Sequence, residues 1–170
     1  RISKQISSSK DTVELAVFKT WINHGESPSD ASYEYIVKPG ALNEIDKQKT
    51  FNNIKILSNT PYLQAVKNTN LGIIQMVFYK AGEIKISEVL KFKCHTPGIV
   101  MLKMDENMIQ EVFVSDPNRE LSQISFSINH KIDAKGKDFK TQWNEENNLS
   151  TFLVALPEGN FQGSTVKIKL

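Results

Sequence analysis

Cysteine is nearly missing from this chain of 170 residues. Cys94 stands alone, so no internal disulfide can form and no cysteine-based metal framework exists. A single free cysteine reads as a buried thiol on a strand, because free Cys is among the most buried residue types. Long apolar runs are also lacking: nothing approaches the roughly 20 apolar residues of a membrane span, and the polar, basic opening RISKQISSSK has no signal-peptide core. It reads as an exposed or cleaved loop. Charge of one sign is missing too. The 21 basic and 19 acidic residues nearly cancel, and the lysines are scattered among acids, which points away from a nucleic-acid or membrane partner.

Catalytic signatures are equally scarce. Ser7, Ser8, Ser9 and Ser125 have no surrounding G-x-S-x-G, and neither a P-loop nor a G-x-G-x-x-G is present. Asp105-Glu106 and Glu145-Glu146 are paired carboxylates, the equipment of glycoside hydrolysis. Each pair falls in a polar turn, where adjacent side chains diverge and solvent keeps them ordinary. His95 precedes a Thr-Pro-Gly turn and His130 ends a strand, without a second ligand at metal-like spacing.

What the sequence does contain is alternation. Short apolar-polar runs predict strands near residues 12–22, 31–38, 54–58, 62–68, 72–80, 83–93, 98–104, 108–115, 122–129, 151–156 and 164–170. So many short strands at close spacing predict an all-β, antiparallel sandwich. The single helix candidate is Ala41–Phe51, with acidic residues early in the segment. Asp133–Asn148 is the longest polar interval and reads as a loop with one short strand near Phe139–Trp143.

Trp21 to Gly40 is the most distinctive segment. Val13, Leu15 and Val17 alternate with polar or small neighbours, and Ala31, Tyr33, Tyr35 and Val37 do the same after the loop His24-Gly25-Glu26-Ser27-Pro28-Ser29-Asp30. This predicts a hairpin. His24 is the most tempting base, since histidine titrates near neutrality; the reading preferred here is that its ring holds the loop closed. Trp21, Tyr33, Tyr35, Tyr62 and Tyr79 could stack on sugars but are expected to be core. Trp143, in its polar interval, is the substrate-contact candidate. Asn148-Leu149-Ser150 fits the glycosylation sequon.

Trp21, His24, Gly25, Pro28, Ala31, Tyr33, Tyr35 and Pro39 make a W-x-x-H-G-x-x-P-x-x-A-x-Y-x-Y-x-x-x-P pattern. Two further blocks follow in order: Ile56–Thr60 with Gln64–Val66, Leu71-Gly72 and Val77–Gly82, and then Ser115-Asp116-Pro117. Together they resemble polysaccharide lyase family 8, the chondroitin AC, hyaluronan and xanthan lyases, and chondroitin AC lyase most of all. The resemblance implies that residues 1–53 end a large super-sandwich domain of the galactose mutarotase type, and that residues 54–170 form a small C-terminal β-sandwich. It also implies a secreted or periplasmic bacterial parent that cleaves chondroitin sulfate, and hyaluronan in some members, by β-elimination. The family's catalytic Asn, His, Tyr and Arg lie in an upstream helical domain. No catalytic residue, metal or cofactor is therefore expected in this chain, and any calcium would sit upstream. The implied partners are that helical domain, the rest of the central β-domain and the anionic polysaccharide. The alternative is a non-catalytic carbohydrate-binding sandwich.

Overall fold

The computed structural model describes residues 12, 14–17, 19–37 and 52–170. The chain divides into two units, Arg1–Val37 and Lys38–Leu170. The helix expected at Ala41–Phe51 lies outside the described residues, and the boundary expected at residues 53 and 54 adjoins that segment.

In the second unit, the alternating segments become eleven strands among the described residues: β1 (Ile54–Asn59), β2 (Leu63–Asn68), β3 (Ile73–Phe78), β4 (Gly82–Lys85), β5 (Lys91–Cys94), β6 (Gly98–Asp105), β7 (Met108–Ser115), β8 (Gln123–Ile128), β9 (Phe139–Asn144), β10 (Leu149–Ala155) and β11 (Val166–Lys169). They build two antiparallel sheets, one ordered β1-β2-β3-β6-β7-β11 and the other β4-β5-β8-β10-β9. The all-β antiparallel sandwich read from the alternation is the fold observed. The expected single strand over 83–93 is instead two, β4 and β5. The N–H groups of Ile86 and Ser87 both donate to the Leu90 carbonyl, at 2.9 and 3.2 Å, closing a turn. Asn129 clamps the far side: it accepts from Lys91 N–H at 2.6 Å and donates to the Val89 carbonyl at 3.0 Å.

The core follows from strand parity. Ile74, Met76 and Phe78 of β3, Val100 and Leu102 of β6, and Val112 and Val114 of β7 point inward from the six-stranded sheet. Phe92 and Cys94 of β5, Ile124, Phe126 and Ile128 of β8, and Phe152 and Val154 of β10 meet them from the other sheet. A chain of rings crosses this layer. Phe78 and Phe92 are 6.1 Å apart between centroids, Phe92 and Phe126 5.1 Å, Phe126 and Phe152 4.7 Å, and Phe152 and Phe139 6.0 Å. Burying each such side chain stabilises the fold by about 1.5–3 kcal/mol.

The first unit corrects an expectation. None of its described residues is in a strand, although strands were predicted near 12–22 and 31–38. Alternation marks a face to be buried, but a strand also needs a neighbour to satisfy its backbone groups. The apolar face here is open, with Leu15 80% exposed. The bend is present nonetheless: Gly25, Ser27 and Asp30 take positive φ of 82°, 49° and 54°, and Gly25 N–H donates to Asn23 Oδ1 at 2.9 Å.

Candidate functional site

The described surroundings of His24 are structural. Its ring lies 6.0 Å from that of Tyr33, which stacks at 6.1 Å on Tyr35, so the loop returns across three rings. Both carboxylate pairs are exposed at hairpin turns: Asp105 ends β6 with Glu106 in the turn to β7, and Glu145-Glu146 lies between β9 and β10. Among the described residues no group of His, Cys, Asp and Glu could hold a metal ion. Cys94 is buried on β5, its Sγ 3.8 Å from the Ser125 carbonyl, and burial pushes the thiol pKa up.

His95 enters a constellation that sequence reading missed. Its Nε2 is 2.7 Å from Ser127 Oγ, which is 2.8 Å from Thr151 Oγ1. Ser127 and Thr151 are cross-strand partners on the outer face of the five-stranded sheet, where Lys93 pairs with Ser127 on the other side. A Ser–His contact is the geometry of an activated nucleophile. Here Ser127 is only 1% exposed and its hydroxyl is bonded on both sides, so the chain ties β5, β8 and β10 together. Burial, and next the Lys93 charge, lower the His95 pKa and favour the neutral ring. No motif spacing signals this chain, because the three residues are brought together by register.

The Ser-Asp-Pro block is a loop organiser. Asp116 is buried after β7, where Oδ1 accepts the N–H of Asn118 at 3.0 Å and Oδ2 those of Glu120 and Leu121 at 2.7 and 2.8 Å. Burial opposes its ionisation, but these N–H groups outweigh it and hold the carboxyl below the usual range. Ser150 of the sequon is fully buried. Its hydroxyl donates to the His130 carbonyl at 2.7 Å and accepts Ile132 N–H at 2.9 Å.

The aromatic residues need a correction. Trp21, Tyr33, Tyr35, Tyr62 and Tyr79 were expected in the core, yet all are exposed, Trp21 by 75%. Parity correctly groups residues that share a face, but it does not say which face is covered. Trp143 lies on strand β9 at a sheet edge, half-buried, with Lys131 Nζ 6.0 Å from its ring. An open cavity of about 480 Å³ near the β6–β7 turn is lined by Lys103, Asp105, Glu111 and Lys169 among others. Glu111 pairs with Lys167 at 2.6 Å, which lowers its pKa.

Residues 55–125 match the polysaccharide lyase family 8 C-terminal β-sandwich domain. This chain carries that domain. It is 34% identical to the chondroitinase-AC of Pedobacter heparinus, over 96% of this chain and 21% of that protein. It is 24% identical to the hyaluronate lyase of Thermasporomyces composti, over 75% of this chain and 16% of that protein. The solved structure of a Streptomyces coelicolor A3 chondroitin AC lyase, in complex with chondroitin sulphate, superposes with a TM-score of 0.62. It covers 86% of this chain and 19% of its own, at 20% identity, a likeness of fold. The chain thus spans about a fifth of the length of the curated relatives it matches.

Proposed function

We propose that this chain is the C-terminal β-region of a secreted or periplasmic bacterial lyase that degrades chondroitin sulfate, and hyaluronan as a second substrate, by β-elimination to unsaturated disaccharides. The observation that carries the reading is the 34% identity to chondroitinase-AC along 96% of this chain. In such a reaction a base removes the proton beside the uronate carboxylate, an acid protonates the leaving oxygen, and cationic or amide groups stabilise the enolate-like intermediate. The polar groups that look reactive here, His95, Ser127 and Asp116, are engaged in holding strands and loops. The role assigned to this chain is therefore to scaffold the part of the parent that performs the chemistry, which supplies the remaining β-strands and the helical catalytic domain. Any calcium is assigned to that part.

Incubating the 170-residue chain with chondroitin sulfate and following unsaturated products by ultraviolet absorbance tests the assignment. No turnover is expected from the chain alone. Turnover by the isolated chain would overturn the scaffold role.

A further inference from the structure

The outward rows of the six-stranded sheet end in a cluster that the scaffold role does not use. Leu63 faces Phe78 in the β2–β3 ladder, so the next pair along is Tyr62 and Tyr79, and Tyr79 N–H donates to the Tyr62 carbonyl at 3.0 Å. Leu63 and Phe78 point inward, so Tyr62 and Tyr79 leave the opposite face together. Directly opposed residues of an antiparallel pair have Cβ atoms about 5 Å apart. Each tyrosine is 56% exposed.

The pair is held in place. Thr60 Oγ1 accepts the N–H groups of Tyr62 and Leu63 at 3.3 and 3.0 Å, which fixes the β1–β2 turn. The Tyr79 hydroxyl donates to Gln64 Oε1 at 3.3 Å, and Gln64 is the next outward residue on β2. Lys80 Nζ sits 3.3 Å from the centroid of the Tyr62 ring. Lys80 has no carboxylate partner among the described residues. Its ammonium covers one face of Tyr62, which leaves the Tyr79 ring to stack.

We infer that Tyr62, Gln64, Tyr79 and Lys80 form a non-catalytic contact site for an anionic saccharide, one bearing a uronate carboxylate or a sulfate. Each part matches one need of such a ligand. The Tyr79 ring offers an apolar face to the C–H side of a pyranose, the Gln64 amide and the phenols serve ring hydroxyls, and Lys80 serves the anion. Charge favours this ligand, because the cluster presents one unpaired cation and no carboxylate of its own. Little ordering is required on binding, since the turn and the ladder fix the backbone under both rings, and the Gln64 and Lys80 contacts hold the rings themselves. The Lys131–Trp143 pair is a weaker match: the ammonium stands 6.0 Å from a ring on the inward-facing row of β9.

Calorimetric titration of the 170-residue chain with a chondroitin sulfate hexasaccharide tests the site. Binding is expected, and Tyr79→Ala and Lys80→Gln should each weaken it about fivefold or more, from lost stacking and a lost charge contact. Lys93→Gln with Lys140→Gln, on the other sheet, should leave it unchanged, and an uncharged malto-oligosaccharide should bind at least about tenfold more weakly. Thermal melts keep the outcome readable; Lys80→Gln changes an exposed side chain and should melt as the parent does. The inference is overturned by absence of binding at millimolar ligand, or by binding that Tyr79→Ala and Lys80→Gln leave intact. A neutral sugar binding equally well also sinks the anion assignment. Absence of binding by the unsubstituted chain, while that chain also stays without turnover, removes this site and leaves the lyase assignment standing.

Discussion

Asp116 shows how one side chain can organise a loop without taking part in catalysis. Its carboxylate accepts three backbone N–H groups while buried, so Asp116→Asn should cost about 1–3 kcal/mol, measured by denaturant melts. The pH dependence has a definite sign. The folded carboxyl titrates below its ordinary 3.8, so the native state binds fewer protons than the unfolded chain in that range. Its contribution is complete above about pH 5 and is lost as pH falls through the lower folded value. Asp116→Asn should flatten that part of the acid-unfolding profile; an unchanged profile would mean that another carboxyl dominates. Ser150 is the second such residue. Ser150→Ala leaves Ile132 N–H and the His130 carbonyl without a partner and should also cost about 1–3 kcal/mol, seen as a lower melting temperature. The sequon match at Asn148-Leu149-Ser150 thus describes a hydroxyl whose work in the fold is to pin the segment after β8 to β10.

Most strands of the second unit could be read from the sequence because each has one buried and one open face, as in β6, where Gly98, Val100, Leu102 and Met104 are buried in alternation. Even β9, inside the longest polar interval, shows itself through Phe139, Thr141 and Trp143 facing one way. What alternation cannot show is a break between two strands of like pattern, and β4 and β5 read as one for that reason. The turn between them closes on the Leu90 carbonyl and is clamped by Asn129, 38 and 40 residues on from its two partners. The same limit hid the His95–Ser127–Thr151 chain, whose members meet only through pairing of β5, β8 and β10. At this scale the ring layer of the five-stranded sheet is the most sensitive element. Phe126 touches rings on both sides, at 5.1 and 4.7 Å, so Phe126→Ala should destabilise the second unit by about 3–5 kcal/mol in denaturant titrations. Tyr79→Ala, on an exposed face, should cost far less, which separates packing rings from contact rings.

For the whole molecule, the first unit marks where sequence reasoning reached furthest past the structure. The Trp21–Pro39 pattern correctly pointed to a lyase family, yet the alternation of Leu15, Val17, Tyr33 and Tyr35 predicted a covered face where the described residues are open. The rule for strands presumes neighbours, and in the proposed parent those neighbours are other parts of a longer chain. The strand order of the second unit has a further consequence, for synthesis. β7 is made some fifty residues before β11, its partner on one side. Until residues 166–169 leave the ribosome, β7 is an uncapped edge with Val112 and Val114 in its row, while the β1–β2–β3 meander can already close. A nascent chain paused in that interval has a strand ready to pair with another copy of itself. A version ending at Gly159 should therefore aggregate in light scattering at concentrations where the full chain stays dispersed, and a charged residue placed on the free edge of β7 should suppress it.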